Sequence, residues 1–251
     1  MSYDMPIAVV PEVRVLEEDA RVLVVDKAAQ RLTHPTGEKN EPTLWHGLHE
    51  LLSYELATGG QVSLINRLDR ETSGITLVAK HAEAARELGK AMQARLLHKE
   101  YFAVVQGVPR WESACCAEPI LRMESVAPTR IHVRQCCHPQ GKECRTGFEV
   151  LRRGRGMALL RCCPHTGRMH QIRVHAAWLG HPLVGDKIYG GDESCYLDFI
   201  ATGWTEELQR RLLLPRHALH ACRLTFPWQG TEITVESPLP ADMAALLVDY
   251  E

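Results

Sequence analysis

What this sequence lacks narrows the field first. No apolar run approaches the ~18 residues of a membrane-spanning helix. The opening MSYDMPIAVVPEV has no basic stretch before its short apolar run, which Pro11 closes. Neither a membrane span nor a signal peptide is expected, which makes the chain cytosolic. Both G-x-G-x-x-G and G-x-x-x-x-G-K-[ST] are missing, so nothing points to a nucleotide cofactor. There is no H-E-x-x-H, and the cysteines at 115, 116, 136, 137, 144, 162, 163, 195 and 222 never fall into C-x₂-C spacing. Adjacent cysteines chelate one zinc poorly, so no metal is expected, and in a reducing compartment the thiols stay free. Fixed-period repeats, low-complexity tracts and Pro/Gly/Ser linkers are also missing. The basic excess common in nucleic-acid binders is absent, since 29 Lys and Arg face 31 Asp and Glu.

What is present is ordinary in bulk and uneven in detail. The 251 residues suffice for one large domain or two small ones, and 45% hydrophobic with 24% charged residues is normal for a globular chain. Residues 1–60 hold ten acids against five bases, whereas residues 145–175 hold seven arginines and one acid, Glu149. That asymmetry permits a basic face within a neutral protein; the plainer alternative is a solvated loop and helix end.

The hydrophobic pattern gives mostly strands with helices inserted. Strands are expected at 22–26, 75–80, 100–106 and 157–163. A second pair is expected at 130–134 and 146–151, around the turn HPQGKE. A hairpin over 218–226 and 231–236 turns at Gln229-Gly230. Helices are expected at 82–97, at 168–179 with Gly180 as its stop, and at 240–248. Residues 31–47, broken by Pro35, Gly37, Pro42 and Gly47, should be loop. Without regular βαβ alternation, the fold class is α+β on a mixed, mainly antiparallel sheet flanked by helices and loops.

Three features carry chemistry. In Asn66-Arg67-Leu68-Asp69-Arg70-Glu71-Thr72-Ser73-Gly74, arginines flank Asp69 in sequence. A guanidinium nearby keeps a carboxylate ionised, as an anionic nucleophile requires, while Thr72, Ser73 and Gly74 can brace a turn. An ordinary ion-paired connection is the alternative. In Thr166 to His175, Thr166 is a plausible helix N-cap, and Met169, Ile172, Ala176 and Leu179 share one apolar face. Arg173 falls at the edge of that face, where it can meet an anion, and Arg168 with the first amides could take a phosphate. A solvated amphipathic helix would look the same. Tyr101 is either a core or rim aromatic or a flat ring for a nucleobase.

INRLDRETSG resembles the catalytic loop of the RluA-type RNA pseudouridine synthases, whose usual form is H-R-L-D-x-x-T-S-G. VLEEDARVLVVDKAAQRLTHP, MQARLLHKEYFAVVQG, GKECRTGFEVL, TGRMHQIRVHAAWLGHPLVGDKIYG and RHALHACRLTFP follow in that family's order. The resemblance implies one catalytic domain over 1–251, with family motifs at about 13–226 and no S4-type RNA-binding domain. It implies an RNA-acting isomerase without cofactor or metal, monomeric, modifying uridine in tRNA or ribosomal RNA. Asp69 would attack the uridine at the base or the anomeric carbon, and the uracil would rejoin the ribose through C5. Such chemistry needs a base extruded and held. Tyr101 would stack on it, Arg173 would pair with Asp69, and Ile172 would line the pocket. Arg67, Asn66, Arg168 and His170 would contact the RNA, and the arginine-rich 145–175 stretch would meet phosphates. Asn66 stands where the family most often has His, and Lys27-Ala28-Ala29-Gln30 lacks the usual Pro and Gly. Asn66 and the acidic balance motivate an alternative, a non-catalytic RNA-binding or RNA-folding protein on the same fold. A hydrolase using Asp69 on a small substrate is the remote third possibility.

Overall fold

The computed structural model describes residues 13–35 and 41–247. The stretch read for a signal peptide, the middle of the expected 31–47 loop and Val248 lie outside them. In chain order the described elements are β1 (Arg14–Glu18), β2 (Val22–Lys27), α1 (Leu44–Leu51), α2 (Ser53–Ala57), β3 (Ser63–Leu64), β4 (Ser73–Ala79), α3 (Ala82–Gln93), β5 (His98–Gln106), β6 (Ser113–Cys116), β7 (Ile120–Arg122), β8 (Gln135–Cys137), β9 (Thr146–Arg153), β10 (Met157–Pro164), α4 (Gln171–Trp178), α5 (Glu193–Thr202), α6 (Glu206–Leu212), β11 (Leu219–Trp228), β12 (Thr231–Glu236) and α7 (Ala241–Ala245).

The main sheet runs β1-β2-β4-β11-β5-β10-β9-β6, with β12 beside β11 and β3 beside β4. Every pairing in it is antiparallel except β4 with β11. The mixed, mainly antiparallel sheet read from the pattern is therefore present. Its two halves meet at that parallel pair. On one side α3 lays Ala84, Leu88 and Ala91 against Leu77, Leu224 and Phe226. On the other, Ile172 and Ala176 of α4 cover Tyr101, Ala103, Leu160 and Cys162. Burying these apolar faces, at about 25 cal/mol per Å², is what holds helix to sheet.

One row across the seam positions the site: Gly74 pairs with Ala221, Ala221 with Tyr101, and Tyr101 with Cys162. Gly74 has φ +111°, and a Cβ there would lie 2.3 Å from the Ala221 carbonyl oxygen. No other residue lets β4 come this close to β11. The hairpin turn also follows the pattern, with Gln229 and Gly230 both at positive φ, as a two-residue turn matching strand twist requires.

Several expected boundaries move. The 31–47 loop ends early, because Thr43 caps α1 by accepting the His46 amide while the His46 ring accepts the Thr43 amide. Helix 82–97 stops at Gln93. Arg95 takes φ +60°, and Leu96 N–H reaches the Ala91 carbonyl, a Schellman close with Arg where Gly is usual. Residues 130–134 form a turn rather than a strand, closed by Arg134 N–H on the Ile131 carbonyl. The strand follows as β8 and pairs with β7 in a separate two-stranded sheet. Its expected partner, β9, pairs with β10 and β6.

Candidate active site

The loop from Ile65 to Thr72 leads into β4 at the seam, and its neighbours fix it by polar contacts. Thr33 Oγ1 donates to the Leu68 carbonyl at 2.9 Å. Lys27, 1% exposed, donates to the carbonyls of Ala28, Arg31 and Arg70. Thr72 Oγ1 shares a 2.7 Å hydrogen bond with His217 Nε2, and Ser73 Oγ one of 2.9 Å with His220 Nδ1. Glu71 accepts from Lys187 Nζ at 2.7 Å and from the His217 amide at 3.0 Å. Burial opposes the charge of Glu71, but His217 and Lys187 outweigh it and lower its pKa to about 2. A loop pinned at this many points presents Asp69 in one geometry.

Asp69 faces α4. Arg173 Nη1 donates to Asp69 Oδ2 at 3.1 Å. The rest of the guanidinium grips Asp186, with Nε to Oδ2 at 2.6 Å and Nη2 to Oδ1 at 2.9 Å. Asp186, fully buried, also accepts the amides of Ile188 and Tyr189. Burial alone would push the Asp186 carboxyl up; Arg173 and these amides hold it well below the usual range. Burial likewise works against Arg173, and Asp186 then Asp69 keep it charged. For Asp69, desolvation is the largest single influence and raises its pKa. Arg173, His170 and His217 together overcome it, so the carboxylate is ionised. Its side chain remains 32% exposed, open to a substrate.

His170 stands beside the pair, its Nε2 3.9 Å from Asp69 Oδ2 and its Nδ1 sharing a 2.9 Å hydrogen bond with Tyr189 Oη. Burial first, then Arg173, lower its pKa to about 4 against the pull of Asp69, so the ring is neutral at pH 7. Tyr101 closes the far wall. Burial and then the Asp69 charge raise its phenol pKa, so the hydroxyl keeps its proton. The resulting cleft, about 100 Å³, is lined by Asp69, Tyr101, Arg173, Arg67, Ile172, Arg168 and His170 among others. Seven of the eight residues expected at the site therefore converge.

Asn66 is the exception. It is 6% exposed and turned into the fold, where Nδ2 donates to the Ile75 carbonyl at 3.0 Å and Oδ1 accepts the Leu77 amide at 2.8 Å. It braces β4 and does not line the cleft. The start of α4 also differs from expectation. The helix begins at Gln171, preceded by His170 at φ +57°, and Thr166 caps nothing. Gln171 Oε1 instead accepts the Thr166 hydroxyl and the Arg168 amide, so that amide is not open to a phosphate. Met169 precedes the helix and is 41% exposed, outside the apolar face.

The arginine-rich stretch is not one face. Arg153 pairs with Glu112, and Arg161 with Glu149 and Glu100. Arg152 to Arg155 sit at the far end of the β9–β10 hairpin, on the order of 20 Å from its Thr146 end by strand rise. Besides Arg173, the cations at the cleft are Arg67, Lys99 and Arg168. Lys99 and Asp186 were missed in the sequence. Asp186 is a lone acid in VGDKIYG, with no spacing partner to single it out. Among the described residues, no three His, Cys, Asp or Glu side chains converge as metal ligands, and no helix is long and apolar enough to cross a membrane.

The sequence and fold that carry this site have counterparts among known proteins. The family described as RNA pseudouridylate synthase matches residues 21–178. The chain belongs to that family, as an RluA-type member, and such proteins are isomerases acting on RNA. A ribosomal large subunit pseudouridine synthase D from Nitrosomonas europaea is 36% identical over 242 residues, covering 93% of this chain and 64% of the relative. Its counterpart from Haemophilus ducreyi is 34% identical over 94% of this chain and 71% of its own length. This chain thus spans less than two thirds of the first relative. Among solved structures, human RNA pseudouridylate synthase domain containing 1 superposes with a TM-score of 0.69 at 26% identity, covering 90% of this chain and 83% of that one.

Proposed function

We propose that this chain isomerises uridine to pseudouridine in structured RNA, with large-subunit ribosomal RNA as the substrate class that the named relatives suggest. The observation carrying this reading is the Asp69–Arg173 pair at 3.1 Å, opened to one cleft with Tyr101 and Ile172. Asp69 is the nucleophile. Its low pKa keeps it anionic, and its partner is itself locked on Asp186, so little rearrangement is needed when charge shifts. Asp69 bonds transiently to the base or to C1′, the glycosidic N1–C1′ bond breaks, and the uracil turns. C5 then bonds to C1′ as the bond to the carboxylate is broken and Asp69 is released, and the C5 proton leaves while N1 gains one. Tyr101 stacks on the extruded base, since a base inside a duplex cannot be reached. Arg67, Lys99 and Arg168 meet the backbone at the rim. A monomeric state and a cytosolic location belong to the same proposal, and light scattering and cell fractionation test them.

The binding-only alternative drew on Asn66, and Asn66 has a backbone role at β4 that needs no charge. The direct experiment is tritium release from RNA labelled at uridine C5. The RNA comes from cells lacking this protein, and wild type is run beside Asp69→Asn. Release by wild type alone is expected, with Asp69→Asn at least a thousandfold slower yet still binding RNA. Binding without release by either protein would overturn catalysis in favour of the alternative.

A further inference from the structure

Asp69, His170 and Arg173 do not line one cavity only. On their other side lies a second, larger one of about 350 Å³, bounded by Gln30, Arg70, Lys187 and three residues of α5, Tyr196, Phe199 and Ile200. The first cleft is below the ~300–1,000 Å³ typical of small-molecule pockets, and the second is within it. Spacing of three and four residues puts Tyr196, Phe199 and Ile200 on one face of α5. The helix is anchored through Cys195, buried against Leu208 and Leu212 of α6, and Phe199, one turn on, packs against the same cluster. Phe199 is steadied from below, its ring centroid 4.5 Å from Lys187 Nζ. Ile200 is 65% exposed and extends the stripe toward solvent. The helix thus holds an aromatic and aliphatic stripe at the edge of a cavity that shares three residues with the Asp69 cleft.

We propose that this cavity is a second nucleotide subsite: the base adjoining the target uridine in the same RNA strand lies against Tyr196 and Ile200. The inference rests on the reading of the Asp69 cleft as the uridine site. The occupant follows from continuity. A strand that delivers one nucleotide to Asp69 must carry its neighbour past the shared wall of Asp69, His170 and Arg173. Arg70, 49% exposed at the rim, pairs with the equally accessible Glu41 at 3.0 Å, an exposed pair that costs little to exchange for the linking phosphate. Tyr196 offers a π-face, which any base can use, so the subsite adds affinity with little sequence preference.

Two measurements test it on the full chain, with Tyr196→Ala/Ile200→Ala as the variant and Tyr54→Ala, on the exposed surface of α2, as the control. The first is tritium release from an in vitro transcript of large-subunit ribosomal RNA labelled at uridine C5. The variant should lose about tenfold in kcat/KM, the scale of one lost base stack, with unchanged melting temperature, and the control should match wild type. The second is photo-crosslinking of a 20-nucleotide 4-thiouridine oligonucleotide, mapped by mass spectrometry, with cross-links expected on the α5 peptide. Equal kcat/KM for variant and wild type, or cross-links that never include α5, overturns the subsite. Cross-links on α5 without any turnover by wild type would leave the subsite standing and sink the uridine-isomerase reading instead. A variant unaltered toward RNA but deficient in a protein complex would assign the stripe to a protein partner and also overturn the proposal.

Discussion

Two groups of charge surround the cleft, and they are built on opposite principles. Asp69, Arg173 and Asp186 form an inner cluster in which Arg173 is 5% exposed and Asp186 is fully buried, each partner defined by short contacts. Arg67 and Arg168 at the rim are exposed, and Lys99 is half-buried. Desolvation makes the inner charges costly unless every partner is present, so the cluster is rigid and fixes the direction of the attacking carboxylate. The exposed rim charges cost little desolvation, and in the proposed function they suit a phosphate backbone whose position varies between substrates. Under the proposed function the difference separates chemistry from recognition: the inner cluster would support the reaction, and the rim would add affinity.

The strongest way to break the comparison is to open the inner cluster. Asp186→Ala leaves Arg173 buried with Asp69 as its one remaining carboxylate and strands the Ile188 and Tyr189 amides. Removing one partner of a buried pair costs about 3–5 kcal/mol. Chemical denaturation should show a loss of that size. Because Asp186 touches no substrate, RNA affinity of the folded fraction should change little while turnover falls. A loss below ~1 kcal/mol would mean that the cluster is no more demanding than the rim.

The next test concerns Asn66, expected from the family resemblance among the RNA-contacting residues and found bonded to the backbone of β4. Asn66→Ala leaves the Ile75 carbonyl and the Leu77 amide unpaired in a buried position, costing about 1–3 kcal/mol. Stability should drop while RNA affinity at fixed salt stays put. Weakened binding without lost stability would return Asn66 to the rim.

The same contrast marks what could be read from sequence. Asp69, Tyr101 and Arg173 stand in motifs dense enough to be recognised, and strand alternation exposed most of the sheet. Asp186 could not be seen, because its role depends on a contact with Arg173 across thirteen residues and carries no periodicity. The start of α4 was misplaced for a related reason. Gln171 and a left-handed His170 set that boundary, and a Thr followed by Gly gave a competing cap signal. The arginine-rich stretch misled because counting charge along the chain ignores that a hairpin carries its two ends far apart.

Acid should sharpen the comparison from a third direction. His170 and His220 are buried and neutral, both lowered to about 4 chiefly by desolvation, while in the unfolded chain they titrate near 6.5. The unfolded state therefore binds more protons between those values, so stability falls as pH drops from about 6.5 toward 4. At pH 5 each histidine accounts for about 1–2 kcal/mol. Thermal melts at pH 7 and pH 5 should show the loss, smaller in His220→Gln. Glu71 and Asp186 have lowered pKa values and titrate in a separate window, their stabilisation disappearing only below the ordinary carboxylate range. A melting temperature flat from pH 7 to 5 would contradict neutral burial of the histidines.

The smallest effect belongs to the rim. Arg168 donates to the Glu143 carbonyl at 3.3 Å from both Nε and Nη2, a contact that any phosphate oxygen could replace at little cost. Arg168→Ala should leave stability within ~0.5 kcal/mol of wild type. RNA binding should weaken a few-fold, and the slope of log K against log salt should become shallower by about 0.7–0.9 for one lost phosphate contact. Arg67→Ala should behave alike, and the double variant should give the sum, because flexible exposed charges couple weakly. If instead either variant lost turnover at saturating RNA with its salt slope unchanged, that arginine would act on the reacting uridine. The boundary between the two groups of charge would then have to be redrawn to include it.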